Sequence, residues 1–123
     1  MHEYKRFVIA IDFDGTIAED KYPEIGPILP MAKNVINKLY RAGHFIIINT
    51  CRVGGTMGDV EKFLEEMDVH HHYINTNLPS KIREYGVDCR KISADIYIDD
   101  KNLMHISDWG IIAEQLTEKG VIF

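Results

Sequence analysis

Cysteine is scarce in this chain. Cys51 and Cys89 are the only two among 123 residues, so there is no disulfide framework, and without a Cys-x-x-Cys pair neither a zinc ribbon nor a thioredoxin-type redox site is expected. Long apolar runs are also missing. None approaches the roughly 18 to 20 residues that cross a bilayer, so no membrane partner is expected. The opening Met1-His2-Glu3-Tyr4-Lys5-Arg6 lacks the charged-then-apolar order of a secretory leader, which makes a reducing, cytoplasmic setting the expectation. Positive charge is in the minority, with 14 Lys and Arg against 19 Asp and Glu and a net charge of −5. That balance disfavours nucleic acid as a partner, because such recognition leans on a basic face. Repeats, low-complexity tracts and linkers are absent, and the length suits one core rather than two domains.

Three apolar segments, each ending in polar groups, stand out. Val8-Ile9-Ala10-Ile11 runs into Asp12-Phe13-Asp14-Gly15-Thr16, His44-Phe45-Ile46-Ile47-Ile48 into Asn49-Thr50, and Ile96-Tyr97-Ile98 into Asp99-Asp100. Strands are expected from about Lys5 to Asp12, from His44 to Asn49, near His71 to Ile74, and from Asp95 to Ile98. Between them Ala32, Val35, Ile36, Leu39 and Tyr40 form a helical stripe closed by Gly43, with Pro30 suited to the first turn. Val60, Phe63, Leu64 and Met67 form a second stripe. A brief helix is expected over Pro79 to Tyr85, and a last one from an N-cap at Ser107 through Trp109, Ile112, Ala113 and Leu116 to Gly120. Val121 to Phe123 reads as an edge strand or a frayed end, and Phe13 to Leu29 as an irregular loop or hairpin. Alternation of strands and helices predicts an α/β fold, a single Rossmann-like domain whose parallel sheet has helices on both faces.

In such sheets ligands bind at the carboxyl ends of the strands. Asp12 and Asp14, at i and i+2, would point to opposite faces of a straight strand; for one site to use both, the chain must turn at Asp14, and Gly15 permits that. One carboxylate could then attack phosphorus while the other handles the leaving group's proton. Clustered carboxylates repel unless a cation neutralises them, and Mg2+, which takes few carboxylates and keeps its waters, suits them. Thr50 offers a neutral hydroxyl to a phosphoryl oxygen. A lysine is still required for charge balance.

Asp12-Phe13-Asp14-Gly15-Thr16, Thr50, a downstream lysine and Asp99-Asp100 resemble, in order and spacing, the four motifs of the haloacid dehalogenase (HAD) superfamily. The resemblance extends from about Arg6 to Asp108. Thr50-Cys51-Arg52-Val53-Gly54 and Arg90-Lys91-Ile92-Ser93-Ala94-Asp95-Ile96-Tyr97-Ile98-Asp99-Asp100 are similar to stretches of small bacterial and phage members. The resemblance implies a HAD core and a magnesium-dependent phosphomonoesterase acting through aspartyl-phosphate. Asp12 would be the nucleophile, Asp14 the general acid/base and Thr50 the phosphoryl-holding hydroxyl. Asp99 would bind Mg2+ with the Asp12 carboxylate and the Asp14 backbone carbonyl, supported by Asp100. For the lysine, resemblance selects Lys91, while geometry favours Lys81 at the start of the short helix, because the residues from Lys91 to the strand end span roughly 15 Å. Arg52, Gly15 and Cys51 are the substrate-binding candidates, with a structural salt bridge as the alternative for Arg52.

Gly15 to Phe45 and Cys51 to Arg90 leave no room for a cap domain, so a capless domain with residues 16–29 as a flap is expected. The expected substrate is a small phosphorylated metabolite, with a homo-oligomer helping to cover the site; a macromolecular phosphate (a nucleic-acid 3′-phosphate or a phosphoprotein) is the alternative. Two non-hydrolase readings compete. A response-receiver domain would present an aspartate where this chain has Asn49-Thr50, and a silent binding subunit would not need all the acidic positions. A thiol phosphatase built on Cys51 needs an arginine six residues on, where Met57 stands. His70-His71-His72 can place only His70 and His72 on one strand face and reads as packed or solvated; Asn75 and Asn77 read as turn residues, Trp109 as core or a surface ridge.

Overall fold

Ile9, Ile11, Ile46 and Ile48 are wholly withdrawn from solvent, each adding about 1.5–3 kcal/mol of burial, and they form the middle of a sheet in a computed structural model. The structure describes residues 4–104 and 106–123; Met1-His2-Glu3 of the opening segment lies outside them. Strand β1 spans Val8–Asp12, β4 Phe45–Asn49, β5 Tyr73–Ile74 and β6 Ile96–Ile98, and the four form one parallel sheet in the order β5-β4-β1-β6. A separate antiparallel pair, β2 (Ala18–Lys21) and β3 (Glu24–Ile28), follows β1 as a hairpin with Tyr22-Pro23 at its tip. The segment read as a loop or hairpin is the hairpin. Helices α1 (Ala32–Arg41), α2 (Gly54–Glu66), α3 (Pro79–Tyr85) and α4 (Trp109–Glu118) complete the small single α/β domain.

The cover is uneven. Val35, Ile36 and Leu39 of α1, Val60 and Leu64 of α2, and Trp109, Ile112 and Leu116 of α4 join Ile9, Ile11, Ile46, Ile48 and Ile98 in one core. The other face, with Val8, Ala10 and Ile47, is closed by Leu78 before α3 and Ile92 of the following loop. The helices with buried side chains therefore lie on one face; the other, for which helices were also expected, is closed by these residues beside the short α3, none of whose residues is buried. Asn77 organises that loop, donating from Nδ2 to Asp88 Oδ1 and the Cys89 carbonyl and accepting from the Ser93 amide at 2.6 Å.

Local signals differ from expectation in four places. Met31 adopts φ 67 as the N-cap of α1, which leaves Pro30 before the helix. The Gly54-Gly55 pair, whose adjacent glycines by themselves predict a turn over Arg52 to Met57, opens α2 instead. Asp108, not Ser107, caps α4, its carboxylate accepting from the amides of Gly110 and Ile111. Val121–Phe123 forms no strand: Val121 is buried, and the Ile122 carbonyl accepts from His44 Nε2 at 2.8 Å. The Phe7 amide donates to His44 Nδ1, so Nε2 carries that imidazole's proton. His70 and His72 lie against the Tyr40 ring, and His72 Nδ1 accepts from the Ile46 amide. Burial and the neighbouring His71 lower the His72 pKa. No described helix is long and apolar enough to cross a membrane.

Candidate functional site

The connection from β1 leads through α1 to β4 on one side, whereas β6 arrives on the other side by way of α3. The strand order thus reverses between β1 and β6, the position at which open α/β sheets leave a crevice. A cavity of about 420 Å³ occupies this edge. Asp12 and Asp14 reach it from β1, Thr50, Cys51 and Arg52 from β4, and Asp99, Asp100 and Lys101 from β6. Asp20 and Tyr22 of the hairpin complete the wall. A larger cavity of about 590 Å³ lies along the β5 edge by the histidine run, but the converging carboxylates mark the smaller one.

Asp14 returns to the side of Asp12 because the strand ends in a tight coil. The Phe13 carbonyl accepts from the Ile17 amide at 2.9 Å, and the Gly15 amide donates to the Ala18 carbonyl at 2.7 Å. Gly15 has φ +86, and a Cβ there would collide with the Asp100 carboxylate. Glycine is needed here for backbone conformation and for space. Gly15→Ala should destabilise the protein by about 2 kcal/mol, whereas Gly55→Ala, in a helix with nothing within 4 Å of the added Cβ, should be neutral or stabilise by about 0.5–1 kcal/mol. Urea unfolding of the two variants checks this, and equal midpoints would remove the steric argument.

Carboxylate oxygens of Asp12, Asp99 and Asp100 all lie within 4.8 Å of one another. Burial pushes the Asp12 carboxyl up to about 8, and the hydrogen bond with Asp100 and the charge of Asp99 add to the effect. Three oxygen donors this close fit a hard divalent cation, which would offset both burial and repulsion. Thr16 braces the cluster: its hydroxyl donates to Asp12 Oδ2 at 3.1 Å and accepts from the Asp100 amide at 3.0 Å. The Trp109 indole in turn donates to the Thr16 carbonyl at 2.7 Å. Thr50 is held at its backbone by Asn75, whose Oδ1 accepts from the Thr50 amide and whose Nδ2 donates to the Thr50 carbonyl, each at 2.8 Å. Asn75 sits at φ 55, a conformation asparagine tolerates better than most residues.

No protein-family model and no curated protein matches the chain. Among solved structures, the one described as "Structure of the conserved protein coded by locus from Bacteroides thetaiotaomicron" is 35% identical, covers 94% of this chain and 93% of that chain, and has a TM-score of 0.84. This chain belongs to the same family as that conserved protein. That kinship shows the fold, and the description of that protein names no activity.

Asp12, Asp14, Gly15, Thr50, Cys51, Arg52 and Asp99, singled out in the sequence, converge on this edge. Asp100 enters the carboxylate cluster as a full member, while the Asp14 carboxylate stays outside it and pairs with Arg52 at 2.7 Å. Neither expected lysine lines the cavity: Lys91 Nζ lies over the Tyr97 ring at 5.2 Å, and Lys81 pairs with Glu84 at 3.3 Å. Lys101 does line it, with Nζ 3.9 Å from Asp100 Oδ2. Sequence reasoning passed over Lys101, Asn75 and Thr16 as partners of the site. Adjacency to Asp99-Asp100 was the available signal for Lys101; nothing local pointed to Asn75.

Proposed function

We propose that the protein is a magnesium-dependent phosphomonoesterase of HAD type, with a capless core, acting through an aspartyl-phosphate. The observation that carries this reading is the convergence of the Asp12, Asp99 and Asp100 carboxylates beside Asp14, Thr50 and Lys101 in one cavity. Asp12 attacks phosphorus, forming a carboxyl–phosphate bond as the ester P–O bond breaks. Asp14 gives a proton to the departing oxygen and later takes one from the water that hydrolyses the acyl phosphate. The Thr50 hydroxyl and the Lys101 ammonium bind phosphoryl oxygens, where preorganised donors lower the barrier most. Magnesium, held by Asp12, Asp99 and Asp100 and the Asp14 carbonyl, would supply charge neutralisation at the carboxylates and at the phosphoryl group.

The preferred substrate is a small phosphorylated metabolite, with a neighbouring subunit helping to exclude water. Leu103 and Met104, exposed just after Lys101, favour a second reading in which a macromolecular substrate covers the site. Phosphate release from sugar phosphates, nucleotides, phosphopeptides and 3′-phosphorylated oligonucleotides, beside a sizing measurement, tests both. The expected result is turnover of the small esters by an oligomer. A monomer that hydrolyses only oligonucleotide ends or phosphopeptides would replace the metabolite reading, and no release from any ester would overturn the enzymatic one.

A further inference from the structure

The Arg52 side chain is almost wholly buried, and its hydrogen bonds divide between two parts of the molecule. Nε donates to Asp14 Oδ2 at 2.7 Å and Nη2 to Asp14 Oδ1 at 2.8 Å, while Nη1 donates to the Pro23 carbonyl and Nη2 also to the Glu24 carbonyl, each at 2.8 Å. The guanidinium lies over the Tyr22 ring, 5.0 Å from its centroid. We infer that Arg52 is a positioning residue that interlocks the β2–β3 hairpin with the Asp14 carboxylate, so that the hairpin is seated when the acid/base is aimed. This rests on the proposed phosphatase reading for the role of Asp14, though the mechanical coupling does not.

Three physical points carry it. The guanidinium keeps its charge at any working pH and presents a rigid planar fork, so two bonds to one carboxylate fix the plane of Asp14 as well as its place. Both hairpin carbonyls lie at the tip, next to Tyr22, and Tyr22 and Asp20 form the hairpin's share of the cavity wall. Moving the tip therefore disturbs the same cation that orients Asp14. Finally, the bonds to Asp14 and the hairpin leave Arg52 little capacity for substrate phosphate, which sets it apart from the substrate-binding role expected in the sequence. A carboxylate has about four lone-pair sites, so Asp14 can hold Arg52 and still exchange a proton with a leaving oxygen in the cavity.

The test uses Arg52→Lys and Asp14→Asn in the full chain, with two readouts. The first is kcat/KM for an alkyl phosphate and for p-nitrophenyl phosphate with magnesium; the alkyl leaving group needs a proton from Asp14, whereas p-nitrophenolate needs little. Arg52→Lys should lower the alkyl value at least about tenfold more than the aryl value, a selective loss of about 1.4 kcal/mol in transition-state stabilisation. Equal losses would reduce Arg52 to a structural role and overturn its positioning role. The second readout is amide hydrogen exchange over Lys21 to Glu24. It should accelerate about tenfold in both variants, including Asp14→Asn, whose changed side chain is joined to the hairpin tip through Arg52. Unchanged exchange in both variants would overturn the interlock. If the wild-type protein hydrolyses neither ester, the phosphatase reading fails separately, and the exchange measurement alone decides the coupling.

Discussion

Asp12→Asn should abolish phosphate release while leaving the protein folded. The amide keeps the shape of the side chain but has no carboxylate oxygen with which to form the carboxyl–phosphate bond. A loss of at least about 1,000-fold, or about 4 kcal/mol in barrier, is expected with any phosphomonoester the wild-type protein accepts. Stability should move the other way or not at all. Burial and the adjacent Asp99 and Asp100 disfavour a charge at position 12 and push that carboxyl up to about 8, and the neutral amide removes this conflict. Thr16 can still donate to the amide oxygen. Turnover and thermal unfolding of the purified variant check both halves, and retention of more than about a hundredth of wild-type turnover would take Asp12 out of the nucleophile role.

Metal removal is the second large effect. Activity should vanish in excess chelator, return with magnesium or manganese, and be suppressed by calcium. Calcium accepts more and longer oxygen contacts and can draw in both Asp12 oxygens, including the one that attacks. Binding should depend on pH with a definite sign. Asp12 must lose its proton to act as a ligand, so magnesium affinity measured by calorimetry should climb as pH rises toward about 8 and flatten above it. Without metal the same proton favours the fold: the carboxyl is raised from 3.8 to about 8, so that contribution is present below the lower value and is lost as pH rises through the upper one. Metal-free protein should therefore lose thermal stability across that window, and magnesium should restore it. Full turnover in chelator, or binding indifferent to Asp99→Asn, would sink the metal assignment.

The strands and the site edge could be read from local chemistry. β-branched runs such as Val8–Ile11 and Phe45–Ile48 have one economical arrangement, a sheet buried on both faces, and polar groups at their ends must lie where the strands emerge. Asp12, Thr50 and Asp99 could therefore be placed on one edge before any contact was known. Gly15 followed from the same reasoning, because two carboxylates at i and i+2 meet only if the chain turns between them. Helix stripes were equally legible, while their ends were less so: Met31 caps α1 and leaves Pro30 before the first turn, and Asp108 rather than Ser107 caps α4, because tertiary placement of the entering chain decided which residue took the cap geometry.

Partners and reach were another matter. Arg52 meets Asp14 across 38 positions, Thr16 meets the Asp100 amide across 84, and Asn75 meets the Thr50 backbone across 25. No local periodicity encodes such pairs, since each depends on how separate elements dock. The lysine shows the same limit. Lys91 carried the sequence resemblance and Lys81 the better helix position, yet Lys101 is the lysine that lines the cavity. By itself, the sequence determined the α/β alternation, the apolar strands and the polar groups at their ends, because periodicity and burial act over a few residues. The tertiary structure decided the uneven helical cover, the carboxylates that cluster and the commitment of Arg52 to the hairpin, because hydrogen bonds and charge pairing depend on distances that arise only when distant segments pack together.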